Sequence, residues 1–302
     1  MLPNFLIIGA PRCGTTTLYQ SLREHPEVFL SPIKEPMFFI LESQTAEFQG
    51  PIRPQGVSTR GDYQSLFAGA AGRRAVGEAS PCYLSHPRAP GAIRGWIPDV
   101  RMIAILRNPA DRAQSHYQIH RLQGVEPVDD LESAMAAEAE RIRNGWSFNW
   151  WYREMGFYGR HIERYFSLFP RGQFRFFLFE DLVETPDALF GDIFRFLGID
   201  GRFPPRPPER HNPSGIPRHR RFHDFITKPN VIKDGLKRWI PADLRDRLLA
   251  RYFRNGLVAP PLDTAVRRRI LASYREDILK TQDLIGRDLS RWLTEEVGTP
   301  AR

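Results

Sequence analysis

Gly9 and Gly14 stand five residues apart at the end of an apolar run, in "FLIIGAPRCGTTTLYQSL" (Phe5–Leu22), and Thr15 and Thr16 follow directly. This is the layout of a phosphate-binding loop, in which glycine-rich backbone and the first N–H groups of a helix surround an anion. A nucleoside triphosphatase would carry lysine at position 15, reaching the β- and γ-phosphates, and Ser or Thr at position 16. Here Thr15 replaces the lysine and Arg12 supplies a cation inside the loop. Backbone amides and a helix terminus hold an anion without the lysine. The loop therefore suits one compact anionic group rather than a triphosphate.

A second segment, "RMIAILRNPADRAQSHY", ends its apolar run at Arg107 and places Ser115 eight residues later. A metal-dependent phosphotransferase prefers a carboxylate at such a strand end, to hold Mg²⁺. Arginine there is a bidentate partner for phosphate or sulfate. The run "FRFFLFEDL" does end in Glu180 and Asp181, which keeps a kinase reading open, although both could simply tie the sheet edge to the next helix. Arg112, one helical turn before Ser115, reads equally as a surface ion-pair residue. His116 and His120 have the spacing of helical metal ligands, but with no glutamate between them and no third ligand, no metal is expected.

These groups need a frame. Phe5–Ile8, Met102–Leu106 and Phe174–Phe179 are short, unalternating apolar runs, as expected of parallel strands covered on both faces. Helical periodicity follows each, at Thr15–His25, Ala110–Leu122 and Pro186–Leu197. The alternation predicts an α/β fold, a P-loop-like doubly wound and mainly parallel sheet flanked by helices, with ligands at the carboxyl ends of the strands. Asp130–Arg143 reads as an exposed helix whose sparse apolar face is Leu131, Met135 and Ile142. Phe203–Pro217, "FPPRPPERHNPSGIP", reads as loop. A basic helical segment follows, too thin in apolar residues to fold alone. The expectation is one domain over residues 1–302 with a helical C-terminal flank, and a loop-rich, basic segment at 203–260 near the cleft.

The 302 residues are 41% hydrophobic, enough for a real core, and the net charge of +8 favours anionic partners. Cys13 and Cys82 make no disulfide framework. Pro3 and Asn4 lead into the first strand without a basic leader, and no run of about 20 apolar residues occurs. A cytoplasmic protein without a membrane span is expected. Nothing in the pattern specifies an oligomeric state.

Taken together, the motifs resemble those of the sulfotransferases that use 3′-phosphoadenosine-5′-phosphosulfate (PAPS), in the bacterial and heparan-sulfate-type branch. "GAPRCGTTTL" is similar to the loop that binds the 5′-phosphosulfate and "LRNPADRAQSHY" to the element that binds the 3′-phosphate. "KEPMFF" (Lys34–Phe39), "GEASPCYL" (Gly77–Leu84) and "GFYGRHIERYF" (Gly156–Phe166) match in order, and "HNPSGIPRHRR" more loosely.

The resemblance implies sulfuryl transfer from PAPS, leaving the bisphosphate PAP, to a hydroxyl or amine of a small molecule or glycan. Arg12, Cys13, Gly14, Thr15, Thr16 and Thr17 would cradle the phosphosulfate, with Arg12 facing the charge that grows on the bridging oxygen. Most relatives have lysine at that position; arginine keeps the charge but does not donate its proton. Arg107 and Ser115 would hold the 3′-phosphate, Glu35 would be the general base, and Ser80 would lie near the donor. Two departures are Met37, where some relatives have histidine, and Ala79, where they have lysine; Lys34 is the candidate replacement cation. Among the basic residues Arg218, Arg220 and Arg221, Arg218 would close on the nucleotide. Trp146, Trp150, Trp151 and Tyr152 suit either sugar stacking or packing on the core.

The alternatives are a P-loop kinase, which requires ATP and Mg²⁺, and a non-catalytic nucleic-acid-binding protein. The latter lacks a basic stripe interleaved with aromatics. The transfer reading requires Arg12 and Arg107 to face one cavity.

Overall fold

The apolar run that opens the chain becomes the centre of a sheet. The structure, a computed structural model, describes residues 1–42, 48–51, 53–204, 216–217, 257–258 and 262–294. Strands β1 (Phe5–Gly9), β2 (Val28–Leu30), β3 (Ala75–Ala79), β4 (Arg101–Leu106) and β5 (Phe174–Leu178) form one parallel sheet in the order β2-β3-β1-β4-β5. Every residue of β1 and β3 is buried, which is why β1 shows no alternation. The chain leaves β1 toward β2 on one side and leaves β4 toward β5 on the other. Those diverging connections open a crevice at the carboxyl ends of β1 and β4.

Helices α1 (Thr15–Arg23), α2 (Phe38–Leu41), α3 (Arg60–Ser65) and α4 (Ala89–Trp96) precede β4. Between β4 and β5 come α5 (Pro109–Leu122), α6 (Leu131–Ala136), α7 (Glu138–Arg143) and α8 (Tyr158–Phe166). Beyond β5 lie α9 (Phe179–Glu184), α10 (Pro186–Leu197), α11 (Thr264–Ile285) and α12 (Ser290–Leu293). Helix α5 starts where its sequence says it should: Asn108 Oδ1 accepts the N–H groups of Ala110 at 3.0 Å and Asp111 at 3.4 Å, with Pro109 in the first turn.

The three predicted strands and their helices are present, with shifts of a residue or two. Strand β5 stops at Leu178 because Phe179 already begins α9, where Asp181 Oδ2 accepts the Leu178 N–H at 2.8 Å. Strands β2 and β3 go beyond the predicted set. β2 is only three residues long, and β3 contains Gly77 and Glu78, which break an apolar pattern. Gly77 is required there, since a Cβ would lie 2.5 Å from the Phe5 ring across the ladder.

The predicted exposed helix at Asp130–Arg143 is corrected. It is two helices meeting at Ala137, and two of its charged residues, Glu138 and Arg141, face inward. Arg141 forms two 2.8 Å contacts with Glu126, both side chains being buried, and the Tyr152 hydroxyl donates to Glu126 at 2.8 Å. Glu138 is buried and accepts the N–H groups of Arg153 and Glu154. Of the sparse apolar face only Ile142 is exposed.

The C-terminal flank packs on the main body through Ile270, Leu271, Tyr274 and Ile278 of α11. Asp277 accepts the N–H groups of Gly159 and Arg160, both at 2.9 Å, and so caps the start of α8. Of the predicted loop at Phe203–Pro217, residues 205–215 lie outside the described residues. Ile216–Pro217 (β6) correct its end, pairing antiparallel with Leu257–Val258 (β7). Most of the 203–260 segment is likewise outside the described residues. Among the described residues no helix is long and apolar enough to cross a membrane.

The Arg141–Glu126 pair yields a stability prediction. Arg141→Ala strands a buried carboxylate, so denaturant unfolding should show a loss of about 3–5 kcal/mol. Truncating the exposed neighbour, Arg143→Ala, should cost no more than about 0.5 kcal/mol.

Candidate functional site

The loop after β1 turns sharply. Arg12 adopts a left-handed backbone at φ 69° and Gly14 another at φ 91°, where it opens α1 without a side-chain cap. A Cβ on Gly14 would lie 2.6 Å from Leu182, so both conformation and space demand glycine. The Ala10 N–H donates to the Ile105 carbonyl at 2.8 Å, fastening the loop to β4. Thr15 is buried, whereas Thr16 and Thr17 are half-buried on the first turn. Cys13 turns into the core: its thiol sits 3.8 Å from the Tyr158 hydroxyl and its N–H donates to Ala10 O at 3.2 Å. Burial pushes that thiol up to about 11, so it stays protonated.

Arg12 and Arg107 are brought together. Arg12 Nε donates to Ser115 Oγ at 3.1 Å, and Arg107 Nη1 reaches the Arg12 carbonyl at 3.5 Å. The Arg107 guanidinium lies 4.6 Å from the centre of the Phe179 ring, and the Tyr158 hydroxyl holds the Arg107 carbonyl at 2.9 Å. Arg112 is not a surface residue. It is fully buried, donating to the Tyr152 carbonyl and meeting His116 Nδ1 at 3.3 Å. Arg12 feels this company. Burial, then Arg107 and also Arg112, lower it to about 10, with Cys13 and Glu35 pulling the other way. It remains charged at neutral pH, with the repulsion of Arg107 and Arg112 outweighing the attraction of Glu35.

His116 and His120 sit beneath this cluster with ring centres 4.8 Å apart, both buried. Burial above all holds His116 well below its ordinary range and His120 at about 4, so both are neutral. His120 Nδ1 lies 2.7 Å from the Tyr152 hydroxyl. Among the described residues no group of three or more His, Cys, Asp or Glu could hold a metal ion. The aromatic segment packs inward, with Trp150 and Tyr152 wholly buried and Trp146 and Trp151 against the core. Asp181 is engaged by Arg287 at 2.8 Å and by the Leu178 N–H, while Glu180 accepts from Trp292 Nε1 at 3.4 Å.

Glu35 enters from the turn after β2. Its backbone is left-handed at φ 63°, its N–H donates to the Ala79 carbonyl at 2.9 Å, and its carboxylate pairs with Lys34. Met37, also left-handed at φ 53°, donates its N–H to Ser80 Oγ at 3.0 Å. Glu35 is one of the charges felt by Arg12, which places the carboxylate within electrostatic reach of the loop. Ala79 is wholly buried, so its side chain presents nothing to the crevice. Arg218, Arg220 and Arg221 lie outside the described residues.

Sequence reasoning passed over Glu78 as a participant. It is fully buried, accepts from Ser80 Oγ at 2.9 Å and is pushed up to about 7, chiefly by burial. Its signal was present: a glutamate inside "AVGEA", immediately before the site.

A family described as "Sulfotransferase domain" matches residues 2–211. The chain is 29% identical over 204 residues to the bovine (Bos taurus) bifunctional heparan sulfate N-deacetylase/N-sulfotransferase 2, covering 66% of this chain and 22% of that protein. It is 28% identical over 197 residues to the mouse (Mus musculus) heparan sulfate glucosamine 3-O-sulfotransferase 6, covering 65% and 52%. The match thus spans about a fifth to a half of those relatives' length. A crystal structure of a sulfotransferase from Alicyclobacillus acidocaldarius superposes with a TM-score of 0.72 at 30% identity, covering 97% of this chain and all of the other.

The strained glycine offers a direct check on the loop. Gly14→Ala should lower stability by about 1–3 kcal/mol in denaturant unfolding, from the left-handed backbone together with the Leu182 clash.

Proposed function

Because the chain belongs to the sulfotransferase domain family, we propose that this enzyme transfers a sulfuryl group from PAPS to a hydroxyl or amine of an acceptor, by preference a glycan. The observation that carries this reading is the meeting of Arg12, Arg107 and Ser115 at one crevice, with Glu35 within electrostatic reach. A group with two separate anionic ends fits that arrangement. The amides opening α1 and Arg12 suit the phosphosulfate, while Arg107 and Ser115 suit the 3′-phosphate. The depressed Arg12 supports the fit, since an anion there would relieve repulsion among the arginines.

Bound there, PAPS would supply the sulfuryl group, whose bond to the phosphate oxygen breaks as the acceptor's bond to sulfur forms. Glu35 takes the proton from the acceptor's hydroxyl or amine. Arg12 and the N-terminus of α1 stabilise the negative charge left on the phosphate oxygen, without giving it a proton. Lys34 pairs with Glu35 and is the candidate cation to turn toward the transferring group. Thr16 and Thr17 complete the cradle, and Cys13 serves as packing beneath it.

A glycan acceptor is favoured by the heparan sulfate relatives, whose names specify that class of substrate. We place the reaction in the cytoplasm, in keeping with two buried, unpaired thiols at Cys13 and Cys82. A kinase is disfavoured because Thr15 stands where the lysine is needed and Asp181 is committed to Arg287.

Incubation with sulfur-labelled PAPS and a panel of glycans, alcohols and amines tests the reading. Transfer to at least one acceptor is expected; no transfer together with no PAP binding would overturn it. Arg107→Ala should weaken PAP binding about 10- to 100-fold by calorimetry. Glu35→Gln should leave that affinity intact and lower turnover by about 10²- to 10⁴-fold. Normal turnover in the glutamine variant would assign the base elsewhere.

A further inference from the structure

Strand β3 delivers a second carboxylate to the neighbourhood of Glu35, one that no acceptor can touch. Glu78 is wholly buried, and hydroxyl groups from three residues converge on it. Ser80 Oγ donates to Oε2 at 2.9 Å, the Tyr63 hydroxyl approaches Oε1 at 3.5 Å, and the Tyr83 hydroxyl is a further neighbour that favours its ionised form. Two of these hydroxyls hold the Glu35 turn as well. Ser80 Oγ accepts the Met37 N–H at 3.0 Å, and the Tyr83 hydroxyl accepts the Phe39 N–H at 3.3 Å. Tyr63 additionally stacks on Phe38 with ring centres 4.2 Å apart.

The turn needs such support. Glu35 and Met37 both keep left-handed backbones, which side-chain-bearing residues adopt only when the surroundings impose them. A hydroxyl has one proton. If Ser80 and Tyr83 spend theirs on Glu78, their lone pairs are left facing the Met37 and Phe39 amides. An ionised Glu78 fixes that polarity, because a carboxylate only accepts. A protonated Glu78 carries its own donor and can reverse one of the two hydroxyls, pointing a hydrogen at an amide hydrogen.

We propose that Glu78 is a positioning residue for the transfer, holding the Glu35–Phe39 turn in its reactive shape through the hydroxyls of Ser80 and Tyr83. The proposal rests on the sulfuryl-transfer reading, with Glu35 as the base.

The charged state of Glu78 then matters. Burial raises it to about 7, the hydroxyls of Tyr83, Ser80 and Tyr63 pull it back, and Glu35 adds to the rise. Facing it are Tyr63 from α3, Ser80 and Tyr83 after β3, and Glu35 from the turn; Tyr19 of α1 and Tyr165 of α8 also feel its charge. Tyr165 is otherwise committed to the Tyr83 carbonyl at 2.9 Å. Above about pH 7 Glu78 is ionised and the polarity is fixed; below it protonation loosens the turn. Turnover should therefore fall as pH drops through that value.

The test is Glu78→Gln, whose amide carries a permanent donor at every pH. Expected are a kcat about 10- to 100-fold lower, unchanged PAP affinity, and loss of the acid limb near neutrality. Amide hydrogen exchange at Met37 and Phe39 should quicken in the same variant without any nucleotide present. Ser80→Ala and Tyr83→Phe, which keep the carboxylate, should lower kcat in the same direction and serve if Glu78→Gln does not fold. A folded Glu78→Gln with wild-type kcat and pH profile overturns the proposal. So does a loss of kcat matched by an equal loss of PAP affinity, with exchange at the two amides unchanged. Absence of any transfer by the unmodified protein would instead sink the sulfuryl-transfer reading itself.

Discussion

Like charges crowd at one edge of this sheet, and much of the surrounding structure exists to tolerate them. At an effective dielectric of about 20, two unit charges a few ångströms apart repel by about 3–4 kcal/mol. Arg12, Arg107 and Arg112 meet where β1 and β4 end, and each is held by neutral or dipolar neighbours. Arg112 has a backbone carbonyl and a neutral imidazole, Arg107 an aromatic face, and Arg12 a serine hydroxyl. Nearby histidines that would add to the charge are instead kept neutral by burial. The crevice at the ends of β1 and β4 therefore concentrates positive charge where the first N–H groups of α1 also point.

Backbone strain gathers at the same place. Among the described residues, the non-glycine positions with positive φ are Arg12, Glu35 and Met37. All belong to the two turns that flank the crevice. Such conformations persist only where the surroundings over-determine them. Here those surroundings are specific: Ala10 tied to β4, Glu35 to Ala79, and Met37 to Ser80. The rigid sheet anchors both turns, the Arg12 turn following β1 and the Glu35 turn following β2, with β3 between the two strands.

The layout of the fold was legible where burial alone sets residue choice. β1, β4 and β5 are plain apolar runs, and α5 and α10 announce their starts with Pro109 and Pro186. β3 was hidden because a strand lined with Gly77 and Glu78 satisfies packing and polar demands that no apolar pattern displays. The segment at 130–143 misled for a related reason: Glu126, Glu138 and Arg141 look like solvent-facing residues, yet they pair with one another or with backbone N–H groups inside. Arg12, Arg107 and Glu35 stood out by motif and position. Arg112 read equally as a surface residue, and Glu78 stood in "GEASPCYL" with no role assigned, because what each does depends on long-range partners brought close only by the tertiary structure.

Helix α11 reaches the crevice through a short relay. Asp277 grips the opening N–H groups of α8, and the residue just before that grip, Tyr158, supports the Arg107 carbonyl and borders Cys13. The stretch that matches the family ends at residue 211, yet part of what steadies the arginines arrives from beyond residue 263. A chimera exchanging only the matching stretch would inherit the loops without their brace. The placement of Arg107 and the identity of the C-terminal helix are therefore expected to travel together.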